Sequence, residues 1–187
     1  ASLRKQEGNY FDTNLGYSIT YDKRDRRWRT SEGFVSSFIQ NLPIYADDLS
    51  VLNGYEFSKY NNWGDDLITK ISLYTRAVNS LDDSKDVRIS ERVRLPRDRL
   101  RGFESGKVGP KDGNDYVGGN YAASLNFTTN LPMILPSVQT ADFAFFVDAG
   151  NVWGVDYSDT VNESNEIRSA AGIGVNWFTP IGPMNFT

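Results

Sequence analysis

Cysteine and histidine are both missing from the 187 residues. Their absence excludes disulfides, thiolate nucleophiles, the common zinc sites and any Ser-His-Asp arrangement within this sequence. Long apolar runs are missing too. None approaches the roughly 18 consecutive residues that a membrane-crossing helix needs, which excludes a helical membrane protein. A β-barrel escapes that exclusion, because its strands need only about 9 to 11 residues with every second one apolar. Nor is there an excess of positive charge. The 20 basic and 24 acidic residues leave a net charge of −4 and are mixed along the chain, so the basic face of a nucleic-acid binder is absent. No targeting segment is legible from Ala1 onward.

What is present is aromatic and glycine-rich. Aromatic residues make up 13% of the chain and there are 16 glycines, while only 39% of residues are hydrophobic, so the apolar side chains must be used economically. They are used in alternation. Leu15, Tyr17, Ile19 and Tyr21 alternate with Gly16, Ser18, Thr20 and Asp22, and a charged turn follows over 23–32. The segment 33–42 is rich in Phe, with no clear parity. Val51, Tyr55 and Phe57 stand opposite Gly54, Glu56 and Ser58, and Leu67, Ile71 and Leu73 stand opposite Lys70, Ser72 and Arg76. The pattern is longest where Tyr121, Ala123, Leu125, Phe127 and Leu131 oppose Asn120, Ser124, Asn126, Thr128 and Asn130. It recurs in Ala141, Phe143, Phe145, Val147 and Ala149, opposite Asp142, Phe146 and Asp148. It recurs again in Ile167, Ala171, Ile173, Val175 and Trp177, and a last short stretch holds Met184 and Phe186. Period two is the mark of strands whose two faces meet different surroundings. The count is about eight strands, the last incomplete.

Two architectures share this pattern. In a soluble sandwich the apolar parity faces a core between sheets; in an outer-membrane barrel it faces lipid, with small and polar residues in the lumen. Segments of ten or more residues exceed ordinary globular strands and match a tilted membrane span. Short links such as 179–183 alternate with longer ones such as 152–166, as short periplasmic turns and longer extracellular loops would. One connection, about 77–117, is far longer than a structureless loop usually is. It is dense in Arg92, Arg94, Arg97, Arg99 and Arg101, yet punctuated by Gly102, Gly106, Gly109 and Pro110, which predicts an ordered turn cluster. Alternating strand direction puts it on the extracellular side.

Within that loop, Leu100-Arg101-Gly102-Phe103 resembles the Arg-Gly-Phe signature of the BamA family, and Lys107-Val108-Gly109-Pro110 follows at the family's spacing. Val117-Gly118-Gly119-Asn120, opening the next strand, is similar to a further family block. So are the stretches from Phe145 to Trp153 and from Trp177 to Met184, together with Tyr21-Asp22-Lys23-Arg24-Asp25 and Thr30-Ser31-Glu32-Gly33. The resemblance runs over about 15–187, with the related translocation and assembly protein TamA and the two-partner secretion transporters as alternatives. It implies a sixteen-stranded antiparallel transmembrane barrel in the bacterial outer membrane, preceded by periplasmic POTRA domains and acting as an insertase. Its partners would be nascent outer-membrane β-barrel proteins, accessory assembly lipoproteins and outer-membrane lipid. On that reading residues 1–187 are the C-terminal part of the barrel, an incomplete barrel of about eight strands, with the POTRA domains, the first strands and the final strand outside them. Two departures stand out: Leu95, Pro96 and Arg97 replace an aromatic residue and a Gly pair before the motif, and Asn126 replaces an acidic residue common in the strand after the loop.

No cofactor and no catalytic centre are expected. The adjacent carboxylates Asp65-Asp66 and Asp82-Asp83 could hint at glycosidase or Ca²⁺ chemistry, but such pairs in loops are usually solvated. Trp63, Trp153 and Trp177 could form a carbohydrate platform, but fit the interfacial girdle of a barrel. A passive porin or autotransporter barrel remains the alternative to an assembly factor. The expected site is a loop latch: Arg101, Gly102 and Phe103 of the motif, facing Asp148, Phe146 and Asn126 on the wall. Parity turns Asp148 into the lumen, because an Asp facing lipid would be costly. A guanidinium at the tip of an infolded loop can then make a bidentate contact with it.

Overall fold

The computed structural model describes residues 8–65, 67–131, 141–156, 161, 166–179 and 182–186. Alternation produces one antiparallel sheet of eight strands: β1 (Asp12–Asp22), β2 (Gly33–Ala46), β3 (Ser50–Asn62), β4 (Ile68–Ser80), β7 (Tyr121–Asn130), β8 (Ala141–Trp153), β9 (Arg168–Thr179) and β10 (Gly182–Phe186). The intervening β5 (Lys111–Asp112) and β6 (Asp115–Tyr116) form a small hairpin inside the long loop. Each large strand pairs with its sequence neighbour, and β4 pairs with β7 from Thr69↔Thr129 to Ala77↔Tyr121. The long loop therefore leaves and re-enters the same sheet between adjacent strands. In β2, the stretch of unclear parity, the register against β1 shifts between Thr13 and Asn14, leaving Ile44 as the extra residue of a bulge.

The faces are inverted relative to a water-soluble protein. Leu15, Ile19, Ile71, Leu125, Phe145, Ile173 and Trp177 are exposed, while Ser72, Ser124, Asn126 and Asp148 are buried. Buried polar and exposed large apolar side chains in strict alternation are what a barrel wall needs, with lipid outside and polar groups within. Parity in β7, β8 and β9 is as expected from the sequence, with the odd-numbered apolar residues on the outer face.

The structure shows the ordered loop that the sequence predicts and corrects its limits. Strand β4 continues through Ser80, so residues 77–80 are wall and the loop occupies 81–120. Val117, Gly118, Gly119 and Asn120 do not open β7. Gly119 instead exchanges backbone hydrogen bonds with Val93, at 2.8 and 3.1 Å, tying the loop's exit to its own middle. Pro96, its φ fixed near the value a turn requires, precedes a 3-10 turn at Arg97–Arg99. Val87, Val93, Leu95, Leu100 and Val108 of the loop pack on Tyr74, Val78, Ala122 and Val152 of the wall, with Leu52 and Phe103 alongside. The apolar core of the molecule thus lies between the loop and the inner face of β4, β7 and β8. At roughly 1.5 to 3 kcal/mol for each fully buried large aliphatic side chain, that packing is enough to hold the loop against the wall.

Candidate functional site

The Arg-Gly-Phe tip sits on the inner face of β7, β8 and β9. Three features of the local sequence bring it there. Leu100, fully buried, plugs the loop into the apolar core immediately before Arg101. Gly102 adopts φ +83, a left-handed conformation that glycine takes without strain, and turns the chain beside Ala170 of β9. Phe103 then returns to the loop–wall core.

Arg101 is held by a fork. Its Nε donates to Asp148 Oδ2 at 2.7 Å and its Nη2 to Asp148 Oδ1 at 2.7 Å, while its backbone N–H donates to Oδ2 at 3.0 Å. Nη2 also donates to Thr128 Oγ1 at 3.0 Å. The guanidinium lies 3.9 Å from the centroid of the Phe146 ring, in cation–π range. Phe146 is laid across Gly172, its cross-strand neighbour, where an added Cβ would come within 2.8 Å of the ring. Asp148 is wholly inaccessible, and the Arg101 side chain keeps 16% of its exposure. A buried carboxylate is tolerable only with a paired cation and satisfied lone pairs, and the two N–H groups of the fork together with the backbone N–H supply both.

Asn126 stands directly across from Asp148 in the β7–β8 register, and its hydrogen bond to the loop goes to the backbone before Arg101. Its Nδ2 donates to the carbonyl of Arg99 at 2.8 Å, and its Oδ1 accepts from Ser124 at 3.3 Å. The residue thus holds the loop by its backbone. An amide can donate where a carboxylate cannot, which gives the departure from the family pattern a physical use.

Sequence reasoning missed Thr128, although its even parity in β7 puts it on the face of Asn126. It missed further loop anchors as well. Arg88 pairs with Asp12 at the end of β1 and with Glu91 at 3.0 Å. Arg92, its side chain fully buried, donates to the carbonyl of Val87 and to Asp156 at 2.8 Å; Asp156 also accepts from Val87 N–H and from Asn120. Arg99 reaches Glu56 of β3 at 2.9 Å. The signal was there as charge on inward parity and as the density of arginine in the loop; the long-range pairing was not, because Asp12, Glu56 and Asp156, 36 to 76 positions from the groups they hold, leave no local trace. Among the described residues no group of side chains suits a metal ion. Asp82 caps its own turn through Ser84, and Asp66 lies outside the described residues. Trp63 and Trp177 are exposed at the ends of their strands, as a girdle would be, with Trp153 half-buried against Tyr121.

Residues 2–187 match the Omp85 superfamily domain. The chain belongs to that superfamily. Its Omp85 relatives include an "outer membrane protein assembly factor BamA" of Neorickettsia risticii, 28% identical over 97% of this chain, and one of Neisseria meningitidis, 32% identical over 47% of it. The chain spans 25% of the length of the first and 14% of the second. The crystal structure of BamA from Haemophilus ducreyi lacking POTRA domains 1–3 superposes with a TM-score of 0.79 at 22% identity, over 92% of this chain and 37% of that one. That likeness shows the fold: the sheet described here is barrel wall. The Omp85 superfamily and its outer-membrane BamA members give its place as the outer membrane.

Proposed function

We propose that this chain is the C-terminal part of the barrel of an outer-membrane protein assembly factor, and that Arg101, Gly102 and Phe103 form a latch closing on Asp148, Phe146 and Thr128. The observation that carries the reading is the buried Arg101–Asp148 fork, with three hydrogen bonds at 2.7 to 3.0 Å between a loop tip and the wall. A passive pore needs no buried latch between a loop tip and its own wall. An assembly factor would gain a braced wall, so that movement can be confined to the strands that admit a client. The client, a nascent β-barrel protein, would pair its strand with an opened barrel edge by β-augmentation, in which backbone hydrogen bonds give affinity without sequence demand. No covalent step is needed, so the protein works without enzymatic chemistry. Accessory assembly lipoproteins would be further partners, and lipid would meet the apolar outer face.

The test is assembly of an unfolded β-barrel client by the full-length protein in liposomes, comparing wild type with Arg101→Ala and Asp148→Ala. Loss of client folding in both variants, while each remains a folded barrel, is the expected result. Undiminished folding in either would overturn the proposal.

A further inference from the structure

We propose that Glu56 is a second anchor of the infolded loop, holding Arg99 from β3 so that Arg101 is presented to Asp148 at a fixed position; only the effect on client assembly rests on the function proposed above. Glu56 uses both carboxylate oxygens for different elements. Its Oε1 accepts from Arg76 of β4 and its Oε2 accepts from Arg99 of the loop at 2.9 Å. One anion thus lies between two cations, and both guanidinia also sit over the ring of Tyr74, at 4.3 and 5.1 Å from its centroid. The wall is shaped for this. Tyr74 faces Glu56 across the β3–β4 register, and Arg76 lies over its own neighbour Gly54, where an added Cβ would stand 2.7 Å from the guanidinium. Any larger residue at 54 would displace Arg76 and with it the carboxylate.

The consequence for the latch follows from connectivity. Arg99 and Arg101 are two residues apart, yet their side chains reach β3 and β8, which are separated in the sheet by β4 and β7. Strands lie about 4.8 Å apart, so these anchors are three strand spacings from each other along the wall. Between them Asn126 of β7 holds the Arg99 carbonyl and Leu100 is buried. The tip is therefore fixed at three points on three strands. Without Glu56 the tip keeps its holds on β7 and β8 but loses the one on β3, and the Arg99 side chain is released. Arg76 by itself would satisfy only half of the carboxylate, so Glu56 has an oxygen directed at the loop. Glu56 is a positioning residue that acts through Arg99.

The experiment uses the full-length protein in detergent and in liposomes. Spin labels are placed by Glu104→Cys in the loop and Asp65→Cys in the β3–β4 turn, both exposed positions, after any cysteine outside these 187 residues has been replaced by serine. Pulsed electron paramagnetic resonance reads the distance between them. Proteinase K, whose cleavage does not depend on arginine, reads loop opening. Glu56→Gln and Arg99→Gln are each expected to broaden the distance distribution and to speed loop cleavage on the order of tenfold. The double variant should be no worse than either single one. Arg99→Lys, which keeps the charge but not the fork, should fall between wild type and Arg99→Gln. Retention of the folded band on unheated gels identifies variants whose barrel is intact. The proposal is overturned by unchanged distances and cleavage in both single variants, or by additive effects in the double variant. If the distances respond as expected while Arg101→Ala assembles clients normally, the assembly reading fails and the anchor stands. If assembly depends on Arg101 but the distances ignore Glu56, the anchor fails and the assembly reading stands.

Discussion

Arg101 enters a site where solvent has been replaced by groups already aimed at its charge. Asp148 takes three of its donors, Thr128 takes part of a fourth, and the Phe146 face covers the plane of the guanidinium. The pair is asymmetric, since Asp148 is wholly buried and Arg101 only partly so. Removing the arginine strands a carboxylate away from water, which typically costs about 3 to 5 kcal/mol. Removing the aspartate leaves a cation that retains Thr128, Phe146 and some solvent. Arg101→Ala should therefore destabilise the loop more than Asp148→Ala does. The double variant should recover much of the difference, with an interaction energy of roughly 0.5 to 3 kcal/mol. Denaturant titration of the folded barrel in detergent micelles checks this, and simple additivity would remove the latch from consideration. A second expectation concerns Phe146, whose ring occupies the space left by the missing Cβ of Gly172. Gly172→Val should tilt the ring and weaken the Arg101 fork without touching either charged residue, seen as faster proteolysis of 81–120.

The strands carry their own tests. If the odd-numbered residues of β7 and β8 face lipid, Leu125→Arg and Val147→Arg should each cost about 2 to 4 kcal/mol near the bilayer midplane. Equilibrium folding into bilayers measures the cost, and indifference to both substitutions would mean that the outer face does not meet lipid. The β1–β2 turn is stabilised differently. Asp25 accepts from the Ser31 hydroxyl at 2.6 Å and from the N–H groups of Ser31 and Glu32. The Ser31 hydroxyl above all, with help from those N–H groups and against a modest desolvation effect, holds its carboxyl down to about 2. A depressed pKa stabilises the folded turn above the unfolded value of about 3.9, and that contribution fades as pH falls through the folded value. Carboxyl NMR should show Ser31→Ala raising the Asp25 pKa toward the ordinary range; an unmoved pKa would mean the hydroxyl is not the cause. The strands were legible because period two is a local property, and so was the inward aim of Asp148. The β4 end was misplaced by four residues because Ala77, Val78, Asn79 and Ser80 lack strong alternation and are held instead by pairing with β3. The order of the loop was legible from its glycines and Pro110, and so was the pairing of Arg101 with Asp148. The other anchors were not: Arg88 and Arg99 find Asp12 and Glu56 only when strands distant in sequence bring those carboxylates around them.

At the scale of the molecule, the sheet is closed on neither side among the described residues: β1 and β10 each pair with one neighbour. The exposed edge strand β1 is open to solvent along its whole length, and its outer face displays Leu15, Tyr17, Ile19 and Tyr21. Two liabilities therefore coincide. Unpaired backbone N–H and C=O groups at an edge are a template for another strand, and a continuous apolar face of this breadth exceeds what soluble monomers leave uncovered. The loop cannot offset either one, because its apolar residues are already spent on the inner face, against Tyr74, Val78, Ala122 and Val152. Charge gives little help, since a net −4 over 187 residues is weak repulsion between copies. These 187 residues in isolation should therefore self-associate in detergent-free buffer, edge to edge or face to face, and become monodisperse when detergent covers the outer face. Multi-angle light scattering with and without detergent separates the outcomes. A stable detergent-free monomer would require the odd-numbered parity to be covered by protein, and that would contradict the exposure of Leu125, Phe145 and Ile173 on which the membrane-wall reading depends.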